Sequence, residues 1–158
     1  MAISPELMDL IQHQFALDLD GIHGTNHWAR VCENGLRLAV ETGADPEILE
    51  LFAYFHDSRR LSDGWDLKHG SRAAAFAQSL QGSLLSLHVE KLEILTYACI
   101  HHSDGLTDAD VTVQTCWDAD RLDLGRIGIL PDPNRLCTPV ARTPEIIDWA
   151  FKRSQESR

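Results

Sequence analysis

The sequence lacks the features that mark secreted, membrane-spanning and metal–thiolate proteins. It has four widely separated cysteines and no Cys-x-x-Cys pair, which argues against a disulfide scaffold and a thiolate zinc site. No apolar run approaches the roughly 18 to 20 residues of a membrane span. The N-terminus, MAISPELMDL, has no basic stretch followed by a long apolar one, so no signal peptide is expected. The composition predicts a cytoplasmic protein whose thiols are reduced and mostly buried.

Basic residues are also scarce. The chain has 14 lysines and arginines against 24 aspartates and glutamates, a formal net charge of -10 and a sequence pI of about 5.1. Because such a field repels phosphate groups, we expect neither a nucleic-acid polymer nor a membrane surface as a partner. An anionic small molecule would need local positive charge from arginines or a metal ion. The composition leaves homo-oligomerisation open.

No segment shows the sustained alternation of apolar and polar residues that predicts β-strands. Helix-start signals recur instead: Ser4-Pro5, Asp45-Pro46 and Thr143-Pro144 each place a capping side chain before a first-turn proline. We therefore expect a mainly α protein. The predicted helices span about 4–17, 26–42, 46–57, 69–81, 86–102, 108–128 and 143–154, with a proline-rich loop over 131–142 and a tail, SQESR, that is predicted to fray.

Polar residues follow an apolar helix in LFAYFHDSRR, residues 51–60. His56, Asp57 and two arginines come directly after a run of large apolar side chains. Other predicted helix ends also carry histidines, at His27, His69 and His101-His102. Imidazole and carboxylate groups that project inward from several helices are a common way to build a metal site in a bundle. Asp120, within WDADRLD, supplies a further carboxylate on the next predicted helix.

The order His27, His56-Asp57, Asp120 resembles the H…HD…D pattern of the HD-domain superfamily of metal-dependent phosphohydrolases. The segments FHDSRR and DADRLD are similar to those around the dyad and the closing aspartate of that family. The resemblance covers about residues 20–128. It implies a compact, all-α single domain of the HD type over residues 1–158, a bundle of six to seven helices in which 129–154 form a C-terminal loop and helix.

The resemblance further implies four ligands for a divalent metal ion: His27, His56, Asp57 and Asp120. Such a mixed nitrogen and oxygen set suits Mn, Fe, Co, Zn or Ni, and in some sites Mg. One ion is favoured and two are possible. Adjacent helical residues point about 100° apart, so His56 and Asp57 can reach one ion only where the helix end faces the site.

The segment DADRLD contains two further carboxylates. Asp118 competes with Asp120, and the resemblance favours Asp120 as the ligand. Asp118 is then expected to support the ligands from behind or to lie on the helix surface, and Arg121 to act as a supporting residue. Asp123 is expected to be solvated or paired with Arg126.

Three further histidines, His69, His101 and His102, have two interpretations. In the HD-GYP phosphodiesterases and the di-iron HD oxygenases, additional histidines bind a second metal, but the spacing here departs from both and the double histidine continues as HHSDGLTD without a GYP motif. Alternatively, they contact phosphate or carry protons beside a single metal. The second interpretation is favoured because His69 opens a helix, where backbone N–H groups attract anions. The candidates for phosphate binding are Arg59, Arg60, Lys68, Arg72 and Arg30.

The predicted function is hydrolysis of a phosphomonoester or phosphoanhydride in a nucleotide-like small molecule by a metal-activated water. Two alternatives stay open. One is a di-iron oxygenase of the HD type. The other is a non-enzymatic sensor module that binds a metal or a nucleotide, although the intact motif argues against it.

Overall fold

The structure is a computed structural model that describes residues 2–156. These residues form seven α-helices and two short 3-10 turns, with no β-structure among them beyond an isolated bridge between Gln81 and Leu85. The all-α prediction is therefore confirmed. The helices are α1 (Pro5–Gln14), α2 (Thr25–Thr42), α3 (Pro46–Phe55), α4 (His69–Leu80), α5 (Val89–His101), α6 (Val111–Arg121) and α7 (Pro144–Glu156), and the 3-10 turns are Leu124–Ile127 and Pro133–Arg135.

Local capping explains where the first helices begin and end. The Ser4 hydroxyl accepts a hydrogen bond from the N–H of Leu7 at 3.1 Å, and the Asp45 carboxylate accepts one from the N–H of Glu47 at 3.0 Å. Gly43 follows α2 with a φ of 73°, a left-handed conformation that glycine adopts without a steric penalty. These caps fix the length of α2 and hence the position of both of its ends.

Helix α3 is the centre of the bundle. It contacts α1, α2, α4, α5 and α6, and it buries residues on nearly every side, including Ile48, Leu51, Phe52 and Phe55. A helix that is apolar all round belongs in the interior of a fold. Because His56 continues directly from Phe55, the central helix places the His-Asp dyad inside the protein rather than on its surface.

The segment after α6 closes the C-terminal side of the bundle. Leu136 and Ala141 lie in a second core cluster with Ile147 of α7, and Leu38 and Leu122 join this cluster from α2 and the end of α6. The proline-rich segment is therefore irregular, as predicted, but its apolar side chains anchor it firmly. Four of its residues, Pro131, Asp132, Arg135 and Leu136, also line a cavity that is described below.

The four cysteines are free and buried, in agreement with the expectation of reduced thiols in the core. They lie at Cys32, Cys99, Cys116 and Cys137. Within residues 2–156, no helix combines the length and the apolar composition that crossing a membrane requires.

The prediction that the tail SQESR frays can be compared with the structure only up to Glu156, since Ser157 and Arg158 lie outside the described residues. Up to Glu156 the structure continues α7 as a regular helix. Ser154 is buried, and the side chain of Gln155 donates a hydrogen bond to the carbonyl of Gly125 at 2.6 Å. These contacts hold the last turn of α7 against the 3-10 turn at 124–127.

Gly70 sets the distance between α4 and α5. A Cβ atom at this position would lie 2.3 Å from the carbonyl oxygen of Cys99 and 3.0 Å from that of Ile100. We expect Gly70→Ala to push the helices apart and to lower the free energy of unfolding by about 1–3 kcal/mol, a typical cost of overpacking. Urea unfolding of the metal-free protein measures this. Ser71→Ala, an exposed substitution on the same helix, is the control, and equal stability of the two variants would contradict the close packing.

Candidate metal centre

Three helices bring the four predicted ligands together in the interior. His27 lies in the first turn of α2, His56 and Asp57 follow the last turn of α3, and Asp120 lies in the last turn of α6. The Nε2 atoms of His27 and His56 are 3.2 Å apart. Asp120 Oδ1 lies 3.2 Å from the His27 nitrogen and 3.3 Å from the His56 nitrogen. Asp57 Oδ2 lies 3.4 Å from each of them. The donor atoms of all four residues therefore face one another.

Asp57 also faces a second pair of histidines. Its Oδ1 lies 3.3 Å from His69 Nε2 and 3.4 Å from His102 Nε2, and these two nitrogens are 2.8 Å apart. Two groups of three residues each have ligand atoms that lie within 4.8 Å of one another inside the group. We call His27, His56 and Asp57 the first triad, and Asp57, His69 and His102 the second triad. The sequence favoured one ion, whereas the structure provides two donor sets that share one carboxylate.

Each histidine of the two triads is oriented by a hydrogen bond at its other nitrogen, Nδ1. Main-chain carbonyls, which can only accept, are the partners of three rings, and a carboxylate is the partner of the fourth. The acceptors are Asp123 Oδ2 for His27 at 2.7 Å, the Ala53 carbonyl for His56 at 3.0 Å, the Asp66 carbonyl for His69 at 2.5 Å and the Cys99 carbonyl for His102 at 2.6 Å. In the neutral ring the proton therefore resides on Nδ1, and the Nε2 lone pair points into the cluster.

The cluster consequently concentrates electron pairs and negative charge. Burial opposes protonation of His56, but the neighbouring Asp57 and Asp120 carboxylates raise its pKa to about 10. Burial likewise opposes ionisation of Asp57, but the charge of a protonated His56, with His102 and His27 beside it, holds the pKa of Asp57 well below its usual range. The pKa shifts of His56 and Asp57 both show that positive charge stabilises the cluster. A donor set of imidazoles and carboxylates meets that demand best with divalent transition metals, so the residues present fit a metal ion.

Asp123 supports the first triad, and the expectation that it is solvated is wrong. It is fully buried, its Oδ2 lies 2.7 Å from His27 Nδ1, and its Oδ1 accepts a hydrogen bond from Arg30 Nε at 2.7 Å. Arg126 donates to its main-chain carbonyl at 3.0 Å and approaches its carboxylate only at 4.0 Å. The position of Asp123, three residues after Asp120, is the signal that could have placed it near the site, because residues at this spacing share a helical face.

Arg30 was predicted to bind phosphate, but it serves Asp123 instead. Its guanidinium is buried, and Nε is committed to the Asp123 carboxylate. Burial opposes ionisation of Asp123, but hydrogen bonds from His27 and Arg30 lower its pKa below the usual value. The chain Arg30, Asp123, His27 therefore fixes both the orientation and the tautomer of His27.

The double histidine divides into one inward and one outward residue. His102 is 5% exposed and belongs to the second triad. His101 points outward, with 33% of its side chain exposed, its Nδ1 2.6 Å from Asp104 Oδ2, and its ring beside that of Tyr97. His102 and His69 are therefore the candidates for binding a second metal or contacting the substrate. The structure does not bring His101 to the cluster.

The two arginines after the dyad also diverge. Arg60 Nε lies 3.3 Å from Asp57 Oδ1, and its Nη1 donates to the carbonyl of Ser62 at 3.0 Å. Arg59 donates to the side chain of Gln14 at 2.9 Å, and its guanidinium lies over the ring of Phe76. Arg60 therefore stays a candidate for contact with an anion. Arg59 points elsewhere, because consecutive residues at the end of a helix leave it in different directions, and its role in phosphate binding stays a prediction.

Arg72 and Lys68 lie farther out. Arg72 is paired with Asp66 at 2.5 Å and donates to the carbonyl of Arg59 at 3.0 Å, so its guanidinium holds the loop before α4. Its role in phosphate binding stays a prediction, and no described contact of Arg72 reaches the triads. Lys68 is exposed at the start of α4. It can contact solutes there, but no described contact links it to the triads.

Asp118 and Arg121 were predicted to support the ligands, and the structure gives them other partners. The carboxylate of Asp118 is buried and accepts hydrogen bonds from the N–H groups of Cys137 at 2.6 Å and Thr138 at 2.8 Å. Burial raises the pKa of Asp118 in spite of these bonds. Arg121 donates to the carbonyl of Arg135 at 2.9 Å. Both residues therefore hold the segment after α6.

Comparison with known proteins bears on the fold. No protein-family model matches the sequence, and no curated protein matches it either. The structure is similar to the crystal structure of a protein named a predicted HD superfamily hydrolase, from an uncultured Thermotogales bacterium. The two share a TM-score of 0.72 and 23% sequence identity, over 96% of this chain and 86% of the other. The two proteins therefore share their all-α fold. At this identity the similarity concerns the architecture and leaves the reaction to be inferred from the site.

The helical fold explains why residues so far apart in sequence meet. It directs the start of α2 and the ends of α3, α5 and α6 toward one interior point, together with the start of α4. Six side chains from five helix ends then form the cluster: His27, His56, Asp57, His69, His102 and Asp120. The resemblance seen in the sequence is thus confirmed at the level of the fold, and the structure enlarges the group of residues at its centre from four to six.

Proposed function

We propose that the protein is a metal-dependent hydrolase that cleaves phosphate esters of small molecules with water. The observation that carries this proposal is the pair of triads that share Asp57. Two metal positions joined by one carboxylate are suited to phosphoryl transfer, since paired ions can stabilise both the attacking and the leaving oxygen. The name of the structurally similar protein is consistent with a hydrolase.

The charge of the site also favours a phosphate substrate. Asp57 and Asp120 contribute two negative charges, the four histidines bind metals as neutral rings, and Arg30 offsets Asp123. With two divalent ions bound, the donor set keeps a net positive charge that can attract a phosphate dianion in spite of the chain's formal charge of -10. A positive centre inside an acidic protein discriminates against polyanions and leaves small anions able to enter.

In the proposed reaction, the oxygen of water forms a bond to phosphorus and the bond from phosphorus to the ester oxygen breaks. The products are inorganic phosphate and an alcohol, which takes up a proton that water releases. Bound divalent metal ions would supply a lowered pKa for water and neutralisation of the phosphate oxygens. The first triad with Asp120 and the second triad would hold them. Arg60 keeps Asp57 oriented and can contact the substrate.

The donor set also narrows the choice of metal. Four of the six donor residues are histidines, and imidazole suits Mn, Fe, Co, Ni and Zn better than Mg, which prefers oxygen ligands. The test is to strip the protein of metal, restore single metals and measure phosphate release from a panel of phosphomonoesters and nucleotides. At least one of the transition metals is expected to restore activity. Absence of phosphate release with every metal and every substrate would contradict the proposal.

A matched pair of variants links activity to the second triad. His102→Ala is expected to lower kcat/KM by at least about 100-fold, because it removes a donor that is oriented by the Cys99 carbonyl. His101→Ala, the neighbouring substitution on the outward face, is expected to stay within about twofold of the wild type, as surface changes usually do. Equal effects of the two variants would contradict the assignment of His102.

A di-iron oxygenase is the second candidate, and the number of donor residues is the observation that favours it. Two irons can be held by histidines and carboxylates, and the structure brings six such residues together. Iron content and oxygen consumption distinguish the candidates. Two irons per chain with oxygen-dependent turnover would support the oxygenase, whereas oxygen-independent phosphate release supports the hydrolase.

A further inference from the structure

A cavity of about 580 Å³ opens beside the second triad, and we call it the α6 cavity. His102 and Ser103 form part of its wall, and Ser103 Oγ lies 3.5 Å from His69 Nε2, so the cavity and the triad share a boundary. Among the six donor residues, Asp120 has the most exposed side chain, at 16%, while the others are at most 4% exposed. Arg121, the next residue, also lines the cavity. The cavity therefore adjoins the metal centre.

The rest of the cavity wall is largely apolar. It is formed by Leu124, Ile129, Leu130, Pro131 and Leu136. Ile129 and Leu130 are 49% and 59% exposed, which leaves apolar surface uncovered next to a concave site. Small-molecule sites are typically concave, mostly apolar and about 300–1,000 Å³ in volume, with few polar groups that fix orientation. The α6 cavity has these properties.

Arg121 is the polar group of the wall that has unused hydrogen-bonding capacity. Its Nη1 donates to the carbonyl of Arg135, and its guanidinium lies 5.5 Å from the ring of Trp117. Its Nη2 is buried and has no hydrogen-bond partner among residues 2–156. A buried N–H group without an acceptor is unfavourable and rare in folded proteins. A carbonyl or carboxylate oxygen of a ligand would satisfy it once the guanidinium turns to expose Nη2 to the cavity.

The charges in the cavity also favour such an acceptor. Arg121 and Arg135 contribute two guanidiniums, and Asp132 contributes one carboxylate. An oxygen of that carboxylate is engaged as the acceptor for the N–H of Asn134 at 2.9 Å. The cavity thus has a net positive charge beside a predominantly apolar wall, in a chain that is otherwise strongly acidic.

We infer that the α6 cavity binds the organic group of the substrate, and that this group is an apolar ring or chain with a carbonyl or carboxylate oxygen that accepts from Arg121. The inference rests on the proposed function, because it places the phosphate at the triads and the organic group in the adjoining cavity. It narrows the substrates to amphiphilic phosphate esters and disfavours simple sugar phosphates, whose hydroxyl groups would meet an apolar wall.

Binding of phosphonates to the metal-loaded protein tests this without turnover, since a phosphonate has no ester bond to cleave. The probes are methylphosphonate, benzylphosphonate and 4-carboxybenzylphosphonate, and calorimetric titration gives each Kd. We expect benzylphosphonate to bind at least about tenfold more tightly than methylphosphonate, through burial of the ring. The added carboxylate is expected to gain about another tenfold through Arg121.

Three variants separate the contributions. Leu130→Asp is expected to remove the advantage of the benzyl group, and Arg121→Met to remove the advantage of the carboxylate while the benzyl group still binds. Ile127→Asp, an exposed apolar residue of the neighbouring turn outside the cavity wall, is the control and is expected to leave both advantages unchanged. Circular dichroism checks that each variant is folded.

The outcomes distinguish the two proposals. If all three probes bind with equal affinity, phosphate recognition stands and the inference about the cavity is overturned. If none of the probes binds, the proposed phosphohydrolase function is contradicted, and the inference that rests on it fails with it. If the advantages survive in Leu130→Asp and Arg121→Met, the organic group binds elsewhere and the inference is overturned.

Discussion

Replacing Asp57 by asparagine is expected to prevent metal binding at both triads. Each oxygen of the Asp57 carboxylate faces a different pair of histidines, at 3.3–3.4 Å. An asparagine of the same shape keeps one oxygen, replaces the other by an NH₂ donor and removes the negative charge. Because the two triads have no other residue in common, this one substitution weakens both.

The effect is measured as metal content per chain and as kcat/KM for the best substrate of the panel. We expect less than half of the wild-type metal and a loss in kcat/KM of at least about 10,000-fold, as is found when a central catalytic group is removed. Asp104→Asn, an isosteric change at an exposed carboxylate that pairs with His101, is the control. A full complement of metal in Asp57→Asn would show that the carboxylate does not bridge the triads.

Replacing Asp123 by alanine is expected to cause the second large effect, on stability as well as on metal binding. The Asp123 carboxylate lies between two groups and forms a hydrogen bond with each. One is the guanidinium of Arg30, a residue that is 5% exposed, and the other is the ring of His27. Arg30 Nη1 is already buried without a partner among the described residues. Removing the carboxylate leaves a buried charge uncompensated, and such a change typically costs about 3–5 kcal/mol of folding free energy.

A double variant separates the two consequences. Asp123→Ala with Arg30→Met removes the unpaired charge together with its partner, so most of the stability in urea unfolding is expected to return. Metal affinity is expected to stay about 10–100-fold below that of the wild type, because His27 still lacks the acceptor that orients it. Full recovery of metal affinity in the double variant would mean that Asp123 acts on folding and not on His27. A single variant as stable as the wild type would exclude the role of Asp123 in compensating Arg30, and one with wild-type metal affinity would exclude its role at His27.

The parts of this protein that follow from the sequence are those with local causes. The helix starts at Ser4-Pro5, Asp45-Pro46 and Thr143-Pro144 depend on capping side chains and prolines that lie within one turn, and the structure has helices at all three places. The four ligand positions lie at the ends of three separate helices and were predicted from the resemblance to the H…HD…D order, and the structure brings them together.

Helix ends were less predictable, and α5 shows why. The amphipathic pattern suggested a start near Ser86, whereas the helix begins at Val89. The side chain of Gln81 bonds to both main-chain groups of Leu87, donating to its carbonyl at 2.5 Å and accepting from its N–H at 3.1 Å. These two hydrogen bonds hold the connection between α4 and α5 in a non-helical conformation. No sequence pattern at Gln81 or Leu87 predicts them.

The support of the site could not be read from the sequence, because it depends on pairs far apart in the chain. Arg30 and Asp123 are 93 residues apart, and His69 and His102 are 33 residues apart. The composition shows only that arginines and carboxylates are present. Several different ion pairs among them would balance their charges equally well. The tertiary fold selects among these pairings, and so assigns Arg30 to Asp123 rather than to a substrate.

Anomalous diffraction from crystals of the Mn²⁺-loaded protein tests the central claim most directly. The claim is that this helical fold holds two metal ions, joined by Asp57, among six donor residues. Two anomalous peaks are expected, one beside each oxygen of the Asp57 carboxylate, with His27 and His56 at the first and His69 and His102 at the second. A single peak at the first triad, or none within the cluster, would contradict the two-metal centre.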